Sequence, residues 1–329
     1  MRFIGNRIIV TLITLFLVSA ISFGLFHLIP GDAALLSLGV EANEEQTAML
    51  RAEWDLDKSV PERYLSWLSK FLTGSLGSST RFRGASVSAL IAERLPVTFS
   101  MALLSLFFML LIAVPVSLLP MDRILSGKKT SLIDSLINTL TAISISMPGF
   151  FLGVLFIWIF GLMLRAFIPG GYVDYRNDFA GFLGYLVFPA LAIALPNAAI
   201  LVKFLRASIF KEWGCNYVRT ARSKGAGRRH TLYRHIYRNA CLPALTILGM
   251  IIGEIFSGSI VMEQVFSVPG IGRLLIAAIA SRDFLMVETL VVYIAFVVIM
   301  ANTMVDIAIQ IIDPRIRLQN VSSGGFAKS

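Results

Sequence analysis

Charge is what this sequence has least of. Only 15% of its 329 residues are Asp, Glu, Lys or Arg, against roughly 25% in soluble domains, while 56% are hydrophobic and mean hydropathy is +0.77. That balance excludes an ordinary soluble domain and predicts an all-α integral membrane protein. Cysteine is nearly absent: Cys215 and Cys241 stand alone, too few for a disulfide framework and without partners at zinc-ligand spacing. Histidine is as scarce. His27, His230 and His235 form no HExxH pair, so a protease or metal-centred enzyme is not expected and no metal site is assigned. No phosphate-binding GxxxxGK[ST] occurs, because Asp122 stands where Gly127-Lys128-Lys129 would need the first glycine. "GAGRRH" at 225–230 copies three residues of a dinucleotide fingerprint, but His230 takes the place of the third glycine and no strand precedes it. The chain therefore has no catalytic residues to propose and no cofactor of its own. Its net charge of +9 is confined between apolar stretches, without the helix-turn-helix, zinc-finger or RNP patterns of nucleic-acid binding.

Six stretches are long and apolar enough to cross a bilayer, which takes about 20 residues. They are 8–29, 97–119, 136–167, 182–205, 241–262 and 285–312. The third and sixth exceed the need, so their ends tilt or leave the membrane. Arg2, Arg7 and Val18-Ser19-Ala20 loosely imitate a signal peptide, but the apolar run continues to Ile29, which favours an uncleaved first helix. Lys and Arg set the orientation. With the N-terminus inside, most of the 29 basic residues fall inside: Arg2, Arg7, the Arg123/Lys128/Lys129 loop, the Lys203–Arg238 segment and the tail with Arg315, Arg317 and Lys328. Both termini are expected in the cytoplasm, with membrane lipid around the spans.

This divides the chain into 1–30 (N-terminus and first span), 31–95 (extracytoplasmic helical segment), 96–312 (membrane core) and 313–329 (cytoplasmic tail). In the outer segment, Tyr64, Leu65, Trp67, Leu68 and Leu72 recur at helical spacing. They suit either an interfacial helix with aromatics at headgroup level or a docking surface for an extracytoplasmic partner. In the inner loop 206–240, a short helix is predicted before Gly225. Tyr217, Val218, Ala221 and Gly225 make a small-residue stripe on it, and Arg219, Arg222 and Lys224 lie on its other side. A second helical stretch is predicted from about His230, then Asn239 as N-cap of the next span with Pro243 in its first turn. Anionic lipid would explain the charge but not the stripe. Two acids lie within apolar spans, Glu254 in "GMIIGEIFSGS" and Asp306 in "ANTMVDIAIQ". A charge at a span's centre costs on the order of 2.5–3.5 kcal/mol, so each is expected either to line a pathway or to hold a buried structural hydrogen bond, with a place near the cytoplasmic end of its span as a further alternative for Asp306. The small residues around Glu254, Ser257 among them, suit close packing or a pore lining. An ion-gradient transporter using these two acids is the rival class, although no repeat links the two halves. A scaffold without transport would not call for the stripe.

The 217–243 loop resembles the EAA loop of membrane subunits of ATP-binding-cassette importers, in the dipeptide, oligopeptide and nickel permease branch. "RTARSKG" fits the seven-residue core with Gly225 as its glycine. Ala221 matches, Arg219 replaces the glutamate as is common in this branch, and Tyr237-Arg238 stands where the wider superfamily has Leu-Pro. The resemblance continues in "RFIGNRIIVTLITLFLVSAISFGLFHLIPGD", "WDLDKSVPERYLSWLSKFLTGSLGSS", "SMPGFFLG", "EQVFSVPGIGRLLIAAIASRDF" and "DPRIR", in that order along nearly the whole chain. It implies a type I importer permease fold, forming half of a translocation pathway beside a second, similar permease. Two cytoplasmic ATPases would carry ATP and Mg, and a substrate-binding protein would dock outside. It also implies that Tyr217, Val218, Arg219, Thr220, Ala221, Lys224 and Gly225 form the ATPase-coupling helix. Glu254, Ser257 and Asp306 are the pathway candidates, and Trp54, Tyr64, Trp67, Pro269, Gly270 and Arg273 the docking candidates. Short peptides are the expected substrate, nickel or a metal chelate the alternative.

Overall fold

The computed structural model describes residues 2–27, 43–53, 57–79, 82, 84–119, 121, 125 and 132–312. The Arg123/Lys128/Lys129 loop, Trp54 and the tail from 313 onward lie outside them. Among the described residues there is no strand, only a Ser78–Ser86 bridge, and five helices are long and apolar enough to span a membrane. In chain order the helices are α1 (Arg2–His27), α2 (Glu44–Glu53), α3 (Val60–Thr73), α4 (Val87–Leu118), α5 (Leu132–Ser146), α6 (Gly149–Phe156, continued by a π-helical turn Ile157–Met163), α7 (Phe179–Trp213), α8 (Asn216–Ser223), α9 (Arg228–Thr231, continued by a π-helical turn Leu232–Ile236), α10 (Tyr237–Val265), α11 (Ile271–Ala280) and α12 (Phe284–Ile312).

The stretch expected as one long third span is instead broken. α5 and α6 meet at 103°, and together they supply the sixth candidate crossing. Pro148 is the physical cause: its ring disfavours helical backbone at Met147, and it caps the start of α6. α4 begins ten residues before the expected span, and the fifth span runs unbroken from Arg228 to Val265. Asn239 therefore lies inside a helix and is not the expected N-cap, and Pro243 is likewise internal.

The contacts divide the chain into two units. The first comprises residues 1–100 and 267–300. Here α3 starts where Glu62 accepts a hydrogen bond from the Ser59 backbone, and it ends at Gly74, φ +76°, whose left-handed backbone closes the helix. Its inner face packs Trp67, Tyr64, Leu68 and Phe71 with Phe23 of α1 and Val292 of α12. Tyr64 shares a 2.8 Å hydrogen bond with Ser19. A second core joins Val87 and Ile91 of α4, Ile271, Leu274 and Ala278 of α11, and Met286, Val287 and Leu290 of α12. The N-terminus of α11 is tied down where Ile271 N–H donates to Thr98 Oγ1, and Asp283 accepts from both Ser79 Oγ and Met286 N–H as α12 begins.

The second unit comprises residues 101–266 and 301–329. α7 is its axis, the most buried of the long apolar helices, and α10, α5 and α6 pack on it. Asp178 caps it by accepting from Gly181 N–H. Gly153 lets α6 approach α10: a Cβ there would lie 2.9 Å from Met262 Sδ and 3.2 Å from the Phe266 ring. Tyr185 on α7 locks the end of α10 by donating to Phe266 O and accepting from Gly170 N–H.

Candidate coupling helix and pathway face

α8 follows α7 after only Gly214 and Cys215, so its direction depends on how its residues are fastened. Three contacts do so. Val218 is 2% exposed and joins Met121, Ile209, Leu232, Ile236 and Ala240 in one apolar core. The Tyr217 hydroxyl donates to Glu212 Oε2 at 2.6 Å, and the Arg222 guanidinium stacks 5.2 Å over the Trp213 ring, a cation–π contact. Glu212 and Trp213 end α7, so α7 and α8 are braced to each other as well as joined covalently. The stripe expected to meet another protein is thus partly spent within the chain, with Tyr217 and Val218 turned inward and Ala221 half-buried. Arg219, Thr220, Arg222, Ser223, Lys224 and Gly225 are the exposed rim.

The helix ends as a glycine demands. Ala226 N–H bonds to Ala221 O and Gly225 N–H to Arg222 O, a Schellman pair, with Gly225 at φ +85°. Apart from its two chain neighbours, no described residue places an atom within 4 Å of where a Gly225 Cβ would stand. α9 then begins at Arg228, two residues before the expected stretch. The π-helical turn after it rotates Leu232 and Ile236, both fully buried, into the core beneath Val218.

Burial first, then the bond to Glu212, raises the Tyr217 phenol from its usual 10 to about 12. A raised folded-state value favours the neutral phenol. The stabilisation from this brace is therefore complete below pH 10 and disappears as pH climbs towards 12. We expect the tyrosinate absorbance of the wild type minus that of Tyr217→Phe to step near pH 12. A step near pH 10 would mean that the brace does not form in solution.

The pathway candidates lie on α10 and α12. Glu254 and Ser257 are exposed one turn apart, in line with Met250 (70% exposed) and Val261 (44%), while Ile251, Ile255, Ser259 and Met262 turn inward. Among the described residues none hydrogen-bonds or ion-pairs with the Glu254 carboxylate, and Ser257 Oγ only donates back to Gly253 O. Asp306 is half-buried. α10 meets the end of α12 near Gly249, whose missing Cβ would be 3.7 Å from Val305. The docking candidates are scattered in character. Trp67 is 8% exposed and Tyr64 half-buried, both held against α1. Gly270 is buried, Pro269 half-buried, and Arg273 exposed with Nη1 donating to Ser267 O.

Sequence reasoning passed over Glu212 and Trp213, and also a buried Arg–Asp pair between α5 and α7 with the exposed Asn138 beside it. Arg206 donates to Asp134 Oδ1 through Nη2 and to Asn138 Oδ1 through Nη1 at 3.0 Å, with Arg206 8% and Asp134 5% exposed. The available signal was an arginine within the apolar run "ILVKFLRASIF" and an Asp/Asn pair four residues apart in "LIDSLINTL".

Comparison with known proteins agrees with this architecture. Residues 124–318 match the family described as binding-protein-dependent transport system inner membrane component, and residues 1–102 match the family of its N-terminal part. The chain is 32% identical over 96% of its length to the probable peptide ABC transporter permease protein y4tP of Sinorhizobium fredii, covering 99% of that protein. It is 31% identical over 95% of its length to the oligopeptide transport system permease protein AppB of Bacillus subtilis, covering 98% of it. A helical chain with up to six crossings, matched end to end in this way, belongs to the binding-protein-dependent ABC importer family: it is a multi-pass inner-membrane permease subunit with the type I importer permease fold.

Proposed function

We propose that the chain forms half of the translocation pathway for di- or oligopeptides, and that α8 couples it to cytoplasmic ATPases. The observation that carries the reading is the mounting of α8. A short helix with an exposed cationic and hydroxyl rim is braced by Tyr217–Glu212 and Arg222–Trp213 to the end of α7, the most buried of the spans. A helix set in a partner's groove needs a fastened base if it is to pass on a displacement, and these two contacts fasten it. Two ATPases carrying ATP and Mg sit below this chain and a second, similar permease, with both termini on their side of a bacterial or archaeal cytoplasmic membrane. A substrate-binding protein docks outside, and ATP binding favours the outward-facing arrangement by its differential affinity for that state. Membership of this family replaces the ion-gradient alternative.

Peptides are chosen because y4tP and AppB are both named for them. A nickel or metal-chelate cargo is the second reading, and it rests only on Glu254. One carboxylate without neighbouring His or Cys makes a poor site for bare metal, and no group of three such ligands is found among the described residues. The test is mild-detergent purification of the tagged chain, with mass spectrometry of its companions and an ATPase assay. A second permease, ATPase subunits and nucleotide turnover are expected, and the associated binding protein should take up short peptides. Selective binding of nickel or a chelate would change the cargo. A lone chain without ATPase would overturn the assignment.

A further inference from the structure

Arg206 and Asp134 are a costly way to hold two helices together. Neutralising apolar replacement of a buried ion pair often leaves stability unchanged or improved, so packing alone does not explain a charge pair between two largely apolar helices. What the pair supplies is geometry. The planar guanidinium of Arg206 donates to two acceptors, Asp134 and Asn138, which stand one turn apart on α5. An apolar contact between two helices can slide or rotate. A fork held at two levels fixes both the rotation and the axial register of α7 against α5.

The position of the fork matters as much. Arg206 precedes Ile209 by one turn of α7, and Ile209 is fully buried in the core that holds Val218 of α8. One turn further on, Trp213 carries the stacked Arg222. On the other side, α5 leads through the Pro148 bend to α6, whose Gly153 seats it against Met262 of α10. α10 bears the Glu254–Ser257 face.

We propose that Arg206, Asp134 and Asn138 are positioning residues for transport: the link through which displacement of α8 and the end of α7 is carried into the bent α5–α6 pair and so to the pathway face of α10. This rests on the coupling reading given above. Without the fork α7 moves against α5, and ATP is hydrolysed without the pathway opening.

The experiment uses the full transporter complex in proteoliposomes with its binding protein, measuring substrate imported per ATP hydrolysed. The paired replacement Asp134→Leu with Arg206→Met removes both charges and leaves no orphaned one. Assembly and ATP turnover should persist while import per ATP falls at least tenfold. Asn138→Leu removes one acceptor and keeps the ion pair. It should lower the ratio about threefold, and it decides the matter if the paired variant is not recovered. A ratio equal to wild type in either assembled variant would overturn the proposal and leave the cluster a packing contact. Failure of the coupling reading itself shows separately, as a wild-type preparation that holds no ATPase subunit, and would overturn both.

Discussion

Gly225→Asp is expected to reduce uptake at least tenfold while the chain remains in the membrane at its normal level. Two costs act locally. The left-handed backbone at φ +85° disfavours a residue with a Cβ by roughly 1 kcal/mol. A carboxylate just beyond the last turn of α8 meets the negative end of its dipole, for about 0.3–1 kcal/mol. Neither cost unfolds a helix whose Val218 is packed against Leu232 and Ile236. The larger loss is external. Apart from its two chain neighbours, no described residue places an atom within 4 Å of a Cβ at 225, so a collision there comes from whatever sits on the rim of α8. Asn tolerates the same backbone without the charge, and Val tolerates it badly. If the rim contacts an ATPase, Asp and Val both lose ATPase retention and uptake, and Asn keeps more of each. If only the backbone turn matters, Asp behaves like Asn. Normal uptake by Gly225→Asp would remove α8 from the coupling role.

What was legible in the sequence follows from how far each signal reaches. Five spans could be found from hydropathy because bilayer thickness is a length requirement that a segment meets alone. The break in the third was also local: Pro148 constrains Met147 whatever surrounds it. α8 and its terminating Gly225 were readable for the same reason. Which way α8 faces was not. Periodicity tells which residues share a side of a helix, but not what that side meets. Val218 meets Leu232 and Ile236 only because the chain turns back through a π-helical segment. The Asp134–Arg206 pairing was hidden by distance: each residue stands out in its own apolar run, but nothing local says that partners 72 residues apart meet. Trp67 shows a related limit. Its helical spacing could be read locally, but its packing against Phe23 of α1 could not.

Glu254→Lys is expected to cut uptake by about tenfold or more, and Glu254→Gln by a few-fold, with ATPase subunits retained in both. The argument starts from exposure. Glu254 stands on the outward line of α10 between Met250 and Ser257, and no described residue of this chain pairs with it. Facing lipid from mid-span, its charge would cost on the order of 2.5–3.5 kcal/mol, which favours a water-filled path or the second permease. A pathway carboxylate attracts the ammonium end of a peptide, and Lys reverses that attraction while Gln only removes it. Direct interaction with cargo makes the loss depend on the cargo. Reversal should be most severe for peptides with a free amino terminus and a basic side chain, and milder for acidic ones. A carboxylate that instead holds the partner permease would lower recovery of that subunit and affect all cargoes equally. Uptake per ATP across a peptide charge series, measured beside subunit recovery, separates the two. Unchanged rates for both variants would place Glu254 outside the pathway altogether.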